Sequence, residues 1–311
     1  MRKIFYIDGG AGRILTAIPA LEKYVKNNPE EDVRILIGGW DNLLWGNTLL
    51  QDITYNPDTK GIFDEFIKEA DCIVSPEPYR VPDYFNQKIS LAEAFDREIN
   101  LTKDHTDIGI PKLYLSKAEE KNAANMLADI KSQQKKNKTI VIQPFGRSAR
   151  VDRGDIIDDS SRGLDSTAYL KLVKKLSTKY NLFLFAEKSF YLQEDVYTLK
   201  PELDLRTWMA LIECCDYFVG CDSVGQHMAR AFDKPGTVIL GSTFAQNVTY
   251  PDWFYIYEKE NVKKKYSPIR ICGLDAHLAD RYNDKVMDFN DEEIEDLFMK
   301  IVKDIENKVG K

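Results

Sequence analysis

The chain has 311 residues, with 43 basic Lys and Arg against 50 acidic residues, a net charge of −7, and 43 % hydrophobic and 30 % charged content. This composition excludes a disordered or low-complexity chain. The negative charge excludes a surface coated in basic residues for nonspecific nucleic-acid binding, though not a local basic groove.

No apolar run approaches the ~18 residues of a membrane span, so stable membrane insertion is not expected. The opening stretch to Asp8 reads as a first β-strand and is too short for a signal peptide. Five cysteines (Cys72, Cys214, Cys215, Cys221, Cys272) lack CxxC or metal-ligand spacing, and His105, His227 and His277 stand far apart. These features predict reduced thiols in a cytoplasm (that of a host cell if the protein is viral), no metal centre and no cofactor.

Short apolar runs at 3–7, 33–37, 71–74, 139–143, 182–186, 217–220 and 237–240 read as strands. They are β-branched and aromatic without strict alternation, which suits parallel strands covered on both faces. Amphipathic stretches at 12–26, 166–179, 205–214 and 224–232 read as the helices between them. The expectation is an α/β protein of two Rossmann-like doubly wound domains. Residues 1–115 form the first, and 116–138 a connecting helix and linker that opens on Ser116-x-x-Glu119. Residues 139–289 form the second domain. A C-terminal helix over 290–311 is opened by Asn290 with Glu293 and carries the apolar stripe Ile294, Leu297, Phe298, Ile301, Val302 and Ile305. Residues 1–138 hold 19 basic against 22 acidic residues and the remainder 24 against 28, so neither half is a polyanion-binding arm.

Four stretches carry chemistry. Asp8-Gly9-Gly10-Ala11-Gly12-Arg13 joins the first strand to a helix, where glycines allow a tight turn and helix amides face an anion. Leu15 breaks the dinucleotide fingerprint, which argues against a Rossmann dehydrogenase. The run 143–150, with Gly146, Arg147 and Arg150, follows the first strand of the second half and suits a phosphate or an acidic acceptor. Residues 152–163 then predict a long loop, either a solvated surface feature or a mobile segment that closes on a ligand. In the stretch 215–232, a strand delivers Asp222 and Ser223 to its carboxyl edge, where open α/β sheets bind ligands. Ser223, Val224 and Gly225 then open a helix suited to a diphosphate. Asp222 reads either as a hydroxyl ligand or as a helix cap, and His227 either as part of that cluster or as a satisfied core histidine.

The pattern Asp-Ser-x-x-x-His-x-Ala-x-Ala-x-x-x-Pro from Asp222 to Pro235, continued by Thr-Val-Ile-Leu-Gly-Ser-Thr, resembles the nucleotide-sugar motif of the ADP-heptose:lipopolysaccharide heptosyltransferases. Gly12 with Ile14-Leu15-Thr16-Ala17-Ile18-Pro19-Ala20-Leu21 is similar to that family's first turn and helix. Leu205-Arg206 through Ala210-Leu211-Ile212 is similar to its segment before the Asp-Ser strand, and Arg162 stands where it has a phosphate-binding basic residue. The resemblance implies the two-domain GT-B architecture, with the donor held mainly by the C-terminal domain. It departs at one place: the family's presumed catalytic Asp follows the first glycine, where this chain has Arg13. The glycine turn and the run 38–47 also resemble T-even-type phage proteins associated with glycosylating hydroxymethylcytosine in DNA.

The resulting expectation is a metal-independent glycosyltransferase moving a sugar from a nucleotide diphosphate sugar to a hydroxyl acceptor, 5-hydroxymethylcytosine in DNA being one such acceptor. The alternatives are a lipopolysaccharide-core heptosyltransferase-like enzyme and a non-catalytic nucleotide-sugar-binding protein. Transfer needs a base for the acceptor proton and positive groups for the leaving diphosphate. Asp8 is the expected base, with Asp41 second. Gly146, Arg147, Arg162, Asp222, Ser223, Val224, Gly225 and His227 are expected to hold the donor, Asp222 through hydroxyls and His227 by orienting that cluster. Gly10, Gly12 and Arg13 are expected on the acceptor side, and a DNA acceptor requires Arg13, Arg147, Arg150 and Arg153 to line one groove.

Overall fold

The computed structural model of the chain describes residues 1–104, 107–146, 149–152, 155–158, 160, 162–185, 197–198, 204–260, 262, 265 and 286–310. Contacts group it into two units, the first comprising Met1–Ser116 and the second Lys117–Tyr266 with the C-terminal helix.

The first unit runs β1 (Arg2–Ile7), α1 (Ala11–Asn27), β2 (Asp32–Ile37), β3 (Thr54–Tyr55), β4 (Cys72–Val74), α2 (Pro82–Phe85) and α3 (Leu91–Asn100). Its sheet is parallel in the order β3-β2-β1-β4. Ile4 and Ile7 of β1 and Ile35 and Ile37 of β2 are fully buried, as the near-continuous apolar runs require. Helix α1 buries Ile14, Leu15, Ile18 and Leu21 at helical spacing and packs against α3. Helix α3, not among the helices expected from the sequence, opens on a formed capping box: Glu93 N donates to Ser90 Oγ at 3.2 Å, and Ser90 N donates back to Glu93 Oε2 at 2.9 Å.

The second unit runs α4 (Lys117–Gln134), β5 (Thr139–Gln143), β6 (Arg150–Asp152), β7 (Asp155–Ile157), α5 (Ser166–Ser177), β8 (Asn181–Leu184) and β9 (Tyr197–Thr198). It continues with α6 (Leu205–Cys214), β10 (Tyr217–Cys221), α7 (Val224–Ala231), β11 (Gly236–Leu240), α8 (Ala245–Val248), β12 (Tyr255–Glu258) and α9 (Asp291–Lys308). The main sheet is parallel in the order β12-β11-β10-β5-β8-β9, with Tyr217 opposite Ile140 and Gly220 opposite Gln143. Every described side chain of β5, β8, β10 and β11 is buried. Helix α9 is capped as its sequence predicts, Glu293 N donating to Asn290 Oδ1 at 2.9 Å, and its apolar stripe packs against α5 and β11. In the expected loop 152–163, the chain pairs as a short antiparallel hairpin, Arg150 opposite Ile157 and Asp152 opposite Asp155. No described helix is long and apolar enough to cross a membrane.

Both units are doubly wound, and each has a switch point where successive crossovers leave in opposite directions. In unit 2 the chain leaves β5 toward β8 and returns to its other side at β10; in unit 1 it leaves β1 toward β2 and returns at β4. Ligands of open α/β sheets bind outside the carboxyl ends of the strands at such points.

Candidate active site

The unit 2 switch point lies beyond Gln143 of β5 and Cys221 of β10. Gln143, only 4 % exposed, reaches across it. Gly225 N donates to Gln143 Oε1 at 2.8 Å, while Gln143 Nε2 donates to Ser223 Oγ at 3.2 Å. Ser223 is the N-cap residue of α7, yet its side chain makes no cap bond, because Gln143 supplies that cap from the neighbouring strand. The Gly225 amide expected at a diphosphate is therefore already engaged. Its residue type follows from this contact: a Cβ at 225 would lie 2.5 Å from Gln143 Oε1 and 2.8 Å from the Phe218 ring. Val224 begins the helix.

Asp222 is 7 % exposed and is not a helix cap, that place belonging to Ser223. Its Oδ1 accepts from Gln226 Nε2 at 3.3 Å, and Gln226 also donates to Val248 O at 3.0 Å. Oδ2 makes no hydrogen bond among the described residues. Burial pushes the Asp222 carboxyl above the usual carboxylate range, and the Arg162 guanidinium opposes that shift by favouring the charged form. Arg162 is held by a turn in which Asp158 accepts from Ser160 N at 3.0 Å and Gly163 N at 2.8 Å, while Arg162 Nε donates to Ser160 Oγ at 3.1 Å. Leu164 N donates to Pro144 O at 2.9 Å, which ties the turn to the end of β5 beside Gly146. Arg147 and Arg153 lie outside the described residues, and Arg150 is exposed on β6.

His227 does not orient Asp222. Its Nδ1 is 3.0 Å from the Tyr250 hydroxyl, and Gln226 takes the orienting role instead. Burial pushes the imidazole down to about 4, so it is neutral near pH 7. Gln143, Gln226 and Asp158 were missed by sequence reading. One signal was available: a polar residue closing the apolar strand 139–143.

At the unit 1 switch point, Gly9 turns the chain with φ +99°, a left-handed conformation that favours glycine. Gly10 caps α1 without a side chain, its carbonyl accepting from Arg13 N at 2.9 Å, and Gly12 lies in the first turn. Arg13 is 5 % exposed, which corrects its expected place on an open basic groove. Its guanidinium lies 3.3 Å from Asp8 Oδ1 and 3.0 Å from Glu77 Oε1, donates to Pro76 O at 2.8 Å, and faces the Tyr79 and Phe95 rings. Arg13 thus ties the chain after β1 to the chain after β4. Asp8 retains 18 % side-chain exposure. Asp41, partly exposed, opens a short helical turn over Asp41–Leu44 after β2, the strand paired with β1. No group of three or more His, Cys, Asp or Glu side chains among the described residues is arranged to hold a metal ion.

A glycosyltransferase family 9 (heptosyltransferase) model matches residues 183–251, the stretch from β8 to just past α8 that contains Asp222, Ser223 and His227. Solved structures agree over the whole length. The glycosyl transferase family 9 protein of Veillonella parvula DSM 2008 is 12 % identical, with 98 % of this chain and 96 % of that one covered at a TM-score of 0.61. The fold is GT-B, and the chain resembles the heptosyltransferases. A second GT-B relative in structure is TibC, an iron-containing dodecameric glycosyltransferase from enterotoxigenic E. coli H10407 (11 % identity, 99 % and 78 % covered, TM-score 0.59). A third is the E. coli ADP-heptose lps heptosyltransferase II (12 %, 97 % and 99 %, TM-score 0.51). No curated protein sequence matches the chain.

Proposed function

We propose that this GT-B chain is a glycosyltransferase that takes a sugar from a nucleotide diphosphate sugar and passes it to a hydroxyl acceptor. The observation that carries the reading is the convergence at the unit 2 switch point of a buried carboxylate, a helix N-terminus and an arginine, all but the arginine within the heptosyltransferase-like segment. A nucleotide sugar presents what those groups recognise. Asp222 Oδ2 is a buried acceptor suited to sugar or ribose hydroxyls, and desolvation of an unpaired acceptor makes a hydroxyl donor favourable there. Arg162, the Ser223 hydroxyl and the Val224 amide supply positive charge and donors for a leaving diphosphate. His227, neutral and bonded to Tyr250, keeps the α7 packing that presents Ser223. Asp8 accepts the acceptor proton, with Asp41 the second choice; Arg13 holds the Asp8 side chain from behind.

Calorimetry with sugar nucleotides tests the donor site. Asp222→Ala is expected to lose affinity for the intact sugar nucleotide while keeping its unfolding temperature, and unchanged affinity would remove Asp222 from the site. Mass spectrometry of DNA and of lipopolysaccharide from cells with and without the protein tests the acceptor. A glycosylated hydroxymethylcytosine identifies DNA, a modified core saccharide identifies the heptosyltransferase-like alternative, and sugar-nucleotide binding without transfer or hydrolysis identifies a binding protein.

A further inference from the structure

We infer that Gln143 is a positioning residue that aims the Ser223 hydroxyl proton outward, toward the diphosphate of the bound nucleotide; the inference rests on the donor-site reading above. The argument begins with an amide that has no choice of orientation. A backbone N–H can only donate, so the Gln143 atom 2.8 Å from Gly225 N is the carbonyl oxygen. The NH2 group then faces Ser223 Oγ at 3.2 Å, and NH2 can only donate. Ser223 is thereby made an acceptor on its inner side. Its own proton points elsewhere, and no described residue accepts it.

Gln143 is 4 % exposed, so water does not compete for this amide. Gly225 admits it, since any Cβ there would meet Oε1. Gln143 therefore does two things from one strand end. It satisfies an α7 amide that would otherwise bind the anion, and it fills one lone pair of the Ser223 hydroxyl from the inner side, which leaves the O–H to be donated at the switch point. A donor there suits a ligand rich in acceptors, such as a diphosphate, and adds nothing for a nucleoside lacking phosphate.

Gln143→Glu reverses the polarity while preserving shape. Both carboxylate oxygens accept, so the Gly225 bond survives, but Ser223 then donates inward. Calorimetry with ADP, UDP, GDP and CDP, each against its nucleoside, gives the readout in a double-mutant cycle with Ser223→Ala. Loss of one donor to a charged phosphate predicts about a tenfold drop in nucleotide affinity for Ser223→Ala and at least about tenfold for Gln143→Glu, with the nucleoside unaffected. In the Ser223→Ala background the loss on Gln143→Glu should be smaller by about that same tenfold, what remains being repulsion between the added charge and the diphosphate.

Equal losses in both backgrounds would mean that Gln143 acts through charge or folding alone and would overturn the inference, leaving the donor-site reading intact. Unchanged nucleotide affinity in Ser223→Ala would also overturn the inference, whereas the donor-site reading falls only if the parent chain binds none of the four nucleotides. If Gln143→Glu does not fold, Gln143→Met replaces it in the same cycle: it leaves the Ser223 proton undirected and frees the Gly225 amide in both backgrounds, so a smaller Ser223-dependent loss is expected, and an equal change in both backgrounds overturns the inference.

Discussion

His227 and Asp222 lie on adjoining turns of the chain and are both desolvated, but burial moves them in opposite directions because one is neutral and the other charged when deprotonated. The imidazole, near 6.5 when unfolded, is held at about 4 when folded. As pH falls through 6.5 the unfolded chain takes the proton first. The stability this site contributes is therefore complete above pH 6.5, is lost as pH falls toward 4, and changes no further below that. The shift corresponds to about 3 kcal/mol. His227→Gln is expected to flatten urea-unfolding stability between pH 6.5 and 4 relative to the parent chain; identical slopes would place the acid sensitivity elsewhere. The raised Asp222 carboxyl has the opposite slope and is common to both proteins, so it cancels in the comparison. The second residue-scale prediction concerns Asp8. Asp8→Asn should keep donor binding and lose about 10²–10⁴ in turnover, the usual contribution of a base. Arg13 retains Glu77 and the Pro76 carbonyl, so the fold should survive. Full activity in Asp8→Asn, with the loss appearing in Asp41→Asn, would move the base to Asp41.

Among the elements, α7 shows how one position couples packing to the site. Gly225→Ala places a methyl 2.5 Å from Gln143 Oε1. Either the Gln143 bridge breaks or α7 shifts, and overpacking of this kind costs about 1–3 kcal/mol. The expected outcome is a lower unfolding temperature together with weaker nucleotide binding. Lower stability with unchanged binding would show that the bridge has no part in recognition. Helices α1, α5, α6, α7 and α9 were legible because their apolar spacing and, for α9, its Asn290–Glu293 box are local signals. The β6–β7 hairpin was not, because three-residue strands of mixed polarity carry no period to read. The two-residue strands β3 and β9 escaped for the same reason.

At the scale of the molecule, the proposed function would have charge at the leaving diphosphate neutralised by Arg162, the Ser223 hydroxyl and the Val224 amide. Sugar transfer by the purified protein is accordingly expected to persist in excess EDTA. Abolition by chelator, with recovery on adding magnesium, manganese or iron, would transfer that role to a metal. The sequence by itself determined the alternation of buried strands and amphipathic helices, hence a doubly wound α/β chain, because side-chain burial follows a local period. It also brought Asp222 and Ser223 to a strand's carboxyl end, since that requires only a strand followed by a helix. Tertiary structure alone decided which strands flank the switch points, and so what those residues meet. Gln143 lies 80 residues from Ser223 and Glu77 lies 64 from Arg13. Arg13 turned inward as the buried counter-ion of Asp8 and Glu77, although its sequence neighbours suggested an exposed anion site. Parallel strand order is set by long-range pairing and by which faces can be covered, and neither leaves a mark on the residues next to it in the chain.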